Sequence, residues 1–204
     1  VRLPASTTEN IAYLQRQRLN EDAKRAIAQA VAAQVPEGCS LILNIGTTTE
    51  AIALALLQHR GLRVITNNLN VAAILSDAPG CEVTVAGGQV RSRDRGIIGE
   101  TTVEFISQFR VDIGVIGISG IESDGSLRDF DVREVKVAQA IMRASRQVWL
   151  AADHSKFDRP AMVALGHLEQ VHRLFTDQPP PPHFQALLDS AGVACSLPTE
   201  SPSP

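Results

Sequence analysis

Cysteine is scarce in this 204-residue chain. Cys39, Cys81 and Cys195 are far apart, odd in number and without CxxC spacing, which excludes a disulfide framework or a cysteine zinc site and fits reduced thiols in the cytoplasm. The five histidines form neither a His-x-x-His nor an HExxH pair, so no metal is expected. No apolar run approaches the roughly 18 residues of a membrane span, and no signal peptide opens the chain. Strong basic charge is missing too. With a net charge of −3, the chain as a whole is not an electrostatic binder of DNA. Its one arginine-dense stretch, Arg91, Arg93 and Arg95, has Asp94 inside it and suits either a phosphate flank or, slightly better, a subunit interface. The first residue is Val1, not Met, which fits a start part-way along a longer protein.

What is present is the material of an ordinary globular α/β domain: 44% hydrophobic and 20% charged residues. Residues 1–19 are polar, with a loose helical stretch from Asn10 to Asn20, and read as a linker. From Asn20, with acidic Glu21 and Asp22 in the first turn, Ala23, Ala26, Ile27, Ala30 and Val31 repeat at helical spacing until Pro36 and Gly38. Short apolar runs then alternate with helical patterns. Strands are expected at Leu41–Ile45, Leu62–Thr66, Glu82–Ala86, Val111–Ser119, Val148–Ala152 and Arg173–Thr176. Continuous apolar strands separated by helices predict a mostly parallel sheet with helices on both faces. The folded domain spans 20–196, and 197–204, ending Ser-Pro-Ser-Pro, reads as a disordered tail.

In such a sheet the loops leaving the carboxyl ends of the strands converge on one rim, where ligands bind. After the first strand comes Asn44-Ile45-Gly46-Thr47-Thr48-Thr49: a glycine, three hydroxyls and the amides of a helix start, suited to an anion. No lysine follows, so this is not a nucleotide P-loop, and a phosphate monoester fits better. Helix capping by Thr47 or Thr48 alone is the alternative. Thr66-Asn67-Asn68 follow the second strand and Gly87-Gly88 the third, with ordinary turn chemistry as the alternative for the asparagines. The fourth strand leads to Ser119, Gly120 and Asp124. The fifth leads to Asp153-His154-Ser155-Lys156, where a lysine steadied by Asp153 could neutralise a dianion, unless the two form a solvated pair.

Taken in order, GTTT, TNN, AGG, GISGIESDG and ADHSKF make the chain resemble the C-terminal sensor domain of DeoR-family transcription repressors, over roughly residues 14–177. The resemblance implies a sugar-phosphate isomerase-like fold, of the ribose-5-phosphate isomerase and CoA-transferase kind. It implies an effector phosphate on Gly46 to Thr49, further contacts from the other rim loops, and a phosphorylated polyol such as glycerol 3-phosphate as effector. It also implies an N-terminal helix-turn-helix domain that binds operator DNA and lies outside this chain, and a homo-oligomer, dimer or tetramer. Since the fold also houses an isomerase, Glu134 falls at the position of that enzyme's base. The second carboxylate falls near Ser119, a hydroxyl, leaving the acid pair broken. Glu134 and Lys136 are then expected to bond polyol hydroxyls, or to face solvent. An isomerase, or a module binding no small molecule, stays open at this point.

Overall fold

The computed structural model describes residues 13–198. Residues 1–12 and 199–204, most of the expected linker and tail, lie outside the described residues. The core is a seven-stranded sheet in the order β12-β11-β9-β6-β1-β2-β3, with every neighbouring pair parallel. Its strands are β1 (Ser40–Leu43), β2 (Leu62–Thr66), β3 (Cys81–Val85), β6 (Val111–Ile116), β9 (Ser145–Ala151), β11 (Arg173–Phe175) and β12 (Ala194–Ser196). Two short antiparallel pieces complete it. One is a hairpin, β4 (Gln89–Arg91) with β5 (Gly96–Ile98). The other is a three-stranded sheet of β7 (Gly120–Ile121), β8 (Ser126–Asp129) and β10 (Val163–His167).

Successive residues of a strand face opposite sides of a sheet. In β1 the sequence is apolar at every step from Leu41 to Leu43, so both faces must be covered. They are. Leu41 and Leu43 join Val64, Val115, Trp149 and Phe175 in a core beneath α2 (Glu21–Ala32), α3 (Thr47–Ala55) and α4 (Leu69–Ser76). Ile42 points the other way, into a second core with Ile116, Leu150 and Leu174. That core is roofed by α5 (Glu100–Ser107), α6 (Val132–Ala144) and α7 (Pro182–Ala191). Each side chain buried in full contributes about 1.5–3 kcal/mol.

Two local features depart from the expected strands and helices. The apolar run Val111–Ser119 does not stay one strand: β6 ends at Ile116 and the chain leaves the main sheet through β7. Gly120 makes that departure possible, since a Cβ there would sit 1.9 Å from the Arg159 carbonyl oxygen. Helix α6 runs into β9 with no loop, and Ser145 Oγ donates to the Ile141 carbonyl at 2.7 Å. The helical stretch expected over Asn10–Asn20 is α1 (Tyr13–Arg18) among the described residues, and it packs against α3. Among the described residues no helix is long and apolar enough to cross a membrane.

Gly114, central in β6, carries a test of this packing. A Cβ there would lie 2.1 Å from Ser145 Oγ and 3.1 Å from Ile141 Cγ2. Gly114→Ala is expected to cost about 1–3 kcal/mol by overpacking, read as a lowered urea midpoint with an unchanged slope.

Candidate functional site

From β1 the chain winds outward through β2 to β3, then returns over the sheet to β6 and continues the opposite way through β9 and β11. The loops after β1 and β6 therefore part, and a crevice opens between them, the usual ligand position in a parallel α/β sheet. A narrow polar cavity of about 40 Å³ occupies that place. Its floor is Ile45, Gly46, Thr47 and Thr48 from one loop and Gly117, Ile118 and Ser119 from the other. Asp153 and Lys156 come from beyond β9, Asp129 from the end of β8, and Glu134 from the first turn of α6. Arg16, Leu19 and Lys24, around the α1–α2 elbow, close it from above.

The β1 loop is shaped from within. Gly46 caps α3 at φ 148°, a conformation that favours glycine. The Thr49 hydroxyl lies 2.7 Å from the carbonyls of both Asn44 and Gly46 and is fully buried. Thr49 thus braces the loop, while Thr47 and Thr48 line the cavity with the first amides of α3, at the positive end of its dipole.

Charge is concentrated around this cavity. Asp153 Oδ1 accepts from the Ser155 amide at 3.0 Å, from the Ser155 hydroxyl, and from Asn20 Nδ2 at 2.9 Å. Although burial opposes its ionisation, the Lys156 charge and these donors hold its carboxyl below the usual range. Among the described residues the Lys156 ammonium has no hydrogen-bond acceptor and no carboxylate at ion-pair distance. Burial pulls its pKa down against the pull of Asp153. Lys24, 6% exposed, donates to the Leu19 carbonyl at 2.7 Å and to the Arg16 carbonyl. Burial, followed by the Lys156 charge, brings it down to about 8.

Opposite these cations stand two buried carboxyls. Asp129 accepts from Ser119 Oγ at 2.8 Å and the Phe130 amide at 2.7 Å, and burial pushes its pKa up. Burial, then the neighbouring Asp129 charge, raises Glu134 to about 7 despite a 2.8 Å bond from Arg91 Nη2. Ser119 is the hydroxyl expected there, and it is hydrogen-bonded to one of these two carboxyls, that of Asp129.

Of the residues singled out from sequence, Gly46, Thr47, Thr48, Ser119, Glu134, Asp153 and Lys156 meet in this cavity. The others do not line it. Thr66 Oγ1 bonds the Leu43 carbonyl, Asn67 Nδ2 bonds the Ile97 carbonyl, and Asn68 Oδ1 caps α4 through the Asn70 and Val71 amides. These three are buried in full and tie the end of β2 to β1 and to the β4–β5 hairpin. Asn44 is buried just beneath the loop, and its Oδ1 has no partner among the described residues. Gly87 accepts from Thr102 Oγ1 at 2.8 Å, and a Cβ on Gly88 would lie 2.1 Å from that oxygen, so both serve the packing of α5. Asp124 sits exposed in the β7–β8 turn, bonded at 2.8 Å to the Ser126 amide, and Lys136 is exposed on α6. The expected interface role of Arg91 also fails: its side chain is only 9% exposed and its guanidinium is bound to Asp94, Asp131 and Glu134.

Arg16, Lys24 and Asp129 were missed. Two of them leave a legible trace. Lys24, Ile27, Ala28 and Val31 share one helical face and are all buried, which marks a lysine on the apolar side of α2. Leu127 and Asp129 alternate inward along β8.

The parallel α/β sheet, with a polar, charge-lined cavity where its winding reverses, has the sugar-phosphate isomerase-like fold. Solved chains of low identity share that fold. Ribose 5-phosphate isomerase A of Methanocaldococcus jannaschii aligns with TM-score 0.50 and 14% identity over 68% of this chain and 55% of that one. The eIF2B beta subunit of Chaetomium thermophilum aligns with TM-score 0.59 and 16% identity over 84% of this chain and 53% of that one. The family is given by sequence: residues 19–178 match the DeoR C terminal sensor domain, and the chain belongs to that family. It is 51% identical to the glycerol-3-phosphate regulon repressor of Escherichia coli K12 over 195 residues, covering 96% of this chain and 77% of the relative. The repressor of the same name from Haemophilus influenzae is 52% identical over 175 residues, covering 86% of this chain and 68% of that one. The HTH-type transcriptional repressor CsqR of E. coli K12 is 43% identical, covering 96% of this chain and 75% of that one.

Glu134 gives the site a measurable pH signature. Its folded pKa of about 7 is above the ordinary carboxyl value. The native chain keeps this proton after the unfolded chain has lost it. The stabilising contribution is therefore full in acid and fades as pH rises through about 7. Glu134→Gln is expected to remove that fall, gaining on the order of 1–3 kcal/mol over the parent at pH 8 relative to pH 5. Thermal melts of both proteins across that range check it.

Proposed function

We propose that this chain is the effector-sensing domain of a transcription repressor of glycerol 3-phosphate metabolism, and that the cavity between β1 and β6 takes sn-glycerol 3-phosphate. The observation that carries this reading is that the Lys156 ammonium, with no hydrogen-bond acceptor among the described residues, lines one cavity with the Gly46–Thr48 start of α3. Helix amides and a bare cation together suit a phosphate dianion. The carboxyls of Asp129 and Glu134 on the opposite wall accept hydrogen bonds from hydroxyls of a short polyol. The name of the relatives agrees with this chemistry.

Operator contact is assigned to an N-terminal helix-turn-helix domain outside this chain, and assembly as a dimer or tetramer to this domain. Light scattering reads the assembly directly. Effector binding acts by population shift: it favours one arrangement of the repressor over the DNA-binding one, with coupling of about 1–3 kcal/mol.

The buried Asp129–Glu134 pair gives the isomerase reading its one specific support. Here the pair is engaged by Ser119 and Arg91, and we assign it to hydroxyl recognition, with no turnover. A coupled assay with ribose 5-phosphate checks this, and activity lost in Glu134→Gln would overturn it.

Saturating glycerol 3-phosphate, at about a hundred times Kd, is expected to stabilise the chain by roughly 2.7 kcal/mol. Glycerol alone should not. Lys156→Met should weaken binding tenfold or more while leaving the unliganded melt within about 1 kcal/mol. Stabilisation by a hexose phosphate and none by glycerol 3-phosphate would redirect the effector assignment. Because Lys24 titrates near 8, an incoming dianion should draw a proton onto it. Calorimetry at pH 8 in buffers of different ionisation heat is expected to register proton uptake.

A further inference from the structure

Entry of a ligand bears on the walls of the cavity between β1 and β6, and they are held unequally. Most walls are pinned. The β1 loop is braced by Thr49, the β9 loop by the donors that converge on Asp153, and the β8–α6 turn by Ser119 and Arg91.

The α1–α2 elbow is held differently. Helix α1 has only six residues, far too few to persist without outside contacts. Three attachments hold the elbow, and each uses a residue at the cavity. Arg16 Nη2 reaches Asp94 Oδ2 at 3.6 Å, while its Nε is buried with no acceptor among the described residues. Asn20, at φ +54°, bonds Asp153. Lys24 donates to the Arg16 and Leu19 carbonyls at the end of α1, the place where a cation best stabilises a helix.

We propose that Arg16 and Lys24 are effector-contacting residues, and that the elbow is the moving wall: on binding, both cations pass from Asp94 and the α1 carbonyls to the anion, and α1 comes away from α3. This rests on the reading of the cavity as a phosphorylated-polyol site. A dianion offers both side chains a stronger partner than a neutral carbonyl or a carboxylate at 3.6 Å. Losing the Lys24 bonds removes the cation from the end of α1, and the six-residue helix frays. Occupancy of the cavity is thereby reported to whatever chain precedes Tyr13.

Hydrogen exchange on the full chain tests this, with and without saturating glycerol 3-phosphate. The Leu19 amide, bonded to the Gln15 carbonyl at 2.9 Å, reads α1, and the Thr47–Glu50 amides read the cavity floor. Expected is exchange at Leu19 faster by on the order of tenfold, with slower exchange over residues 47–50. Slower exchange at both places would overturn the moving elbow and leave the effector reading standing. No change at either would overturn both. Arg16→Gln supplies an arm that needs no ligand, and it leaves Asp94 with Arg91. Faster exchange at Leu19 in this variant alone supports the latch, and parental exchange there contradicts it.

Discussion

Everything in this domain turns on the parting of the chain between β1 and β6. Strands on either side of that line are reached by windings of opposite direction, so their outgoing loops cannot cover one another. The gap is lined by helix-start amides and by side chains that burial has left electrically expensive. Lys24 is brought down to about 8 and Glu134 up to about 7, each by loss of water before any neighbouring charge. Such groups are strained toward neutrality when the cavity is empty, and a ligand that brings the complementary charge and hydroxyls relieves that strain. Recognition and electrostatic tension are the same property seen with and without a ligand.

Holding such a site open requires a rigid frame, and the buried polar residues beneath it supply one. Thr66, Asn67 and Asn68 bind backbone on three sides, joining β1, β2 and the β4–β5 hairpin. The hairpin in turn presents Arg91, whose guanidinium gathers Asp94, Asp131 and Glu134. Arg91 keeps Glu134 aimed at the cavity and partly offsets its burial. Asp94 serves on both sides of this frame, since it also meets Arg16 from the helix above. The frame and the elbow are thus joined at one carboxylate.

Much of this was legible in the chain itself. The parallel sheet could be read because apolar residues run without interruption through Leu41–Leu43 and again through Ile113–Ile116, a pattern only a sheet covered on both faces sustains. The rim loops followed from the order of strands and glycines, and Gly46 to Thr48, Ser119, Asp153 and Lys156 do converge. Gly88 and Gly120 misled, because glycine is equally the residue of close packing, and a Cβ there would strike Thr102 or the Arg159 carbonyl. The partners of Asp129 and Arg91 were beyond local pattern. Asp129 meets Ser119 ten residues away, and Arg91 meets Glu134 across 43. Lys24 sat in plain view on an apolar helical face.

The central claim, that the β1–β6 crevice is the place of a phosphate ester, is tested most directly by amide chemical shifts during a titration of the chain with glycerol 3-phosphate. Shifts are expected to concentrate at Gly46, Thr47, Thr48, Gly117 and Lys156, to saturate together, and to be absent when glycerol replaces the ester. Shifts clustered instead in the groove between α5 and α6, with the amides after β1 unmoved, would contradict it.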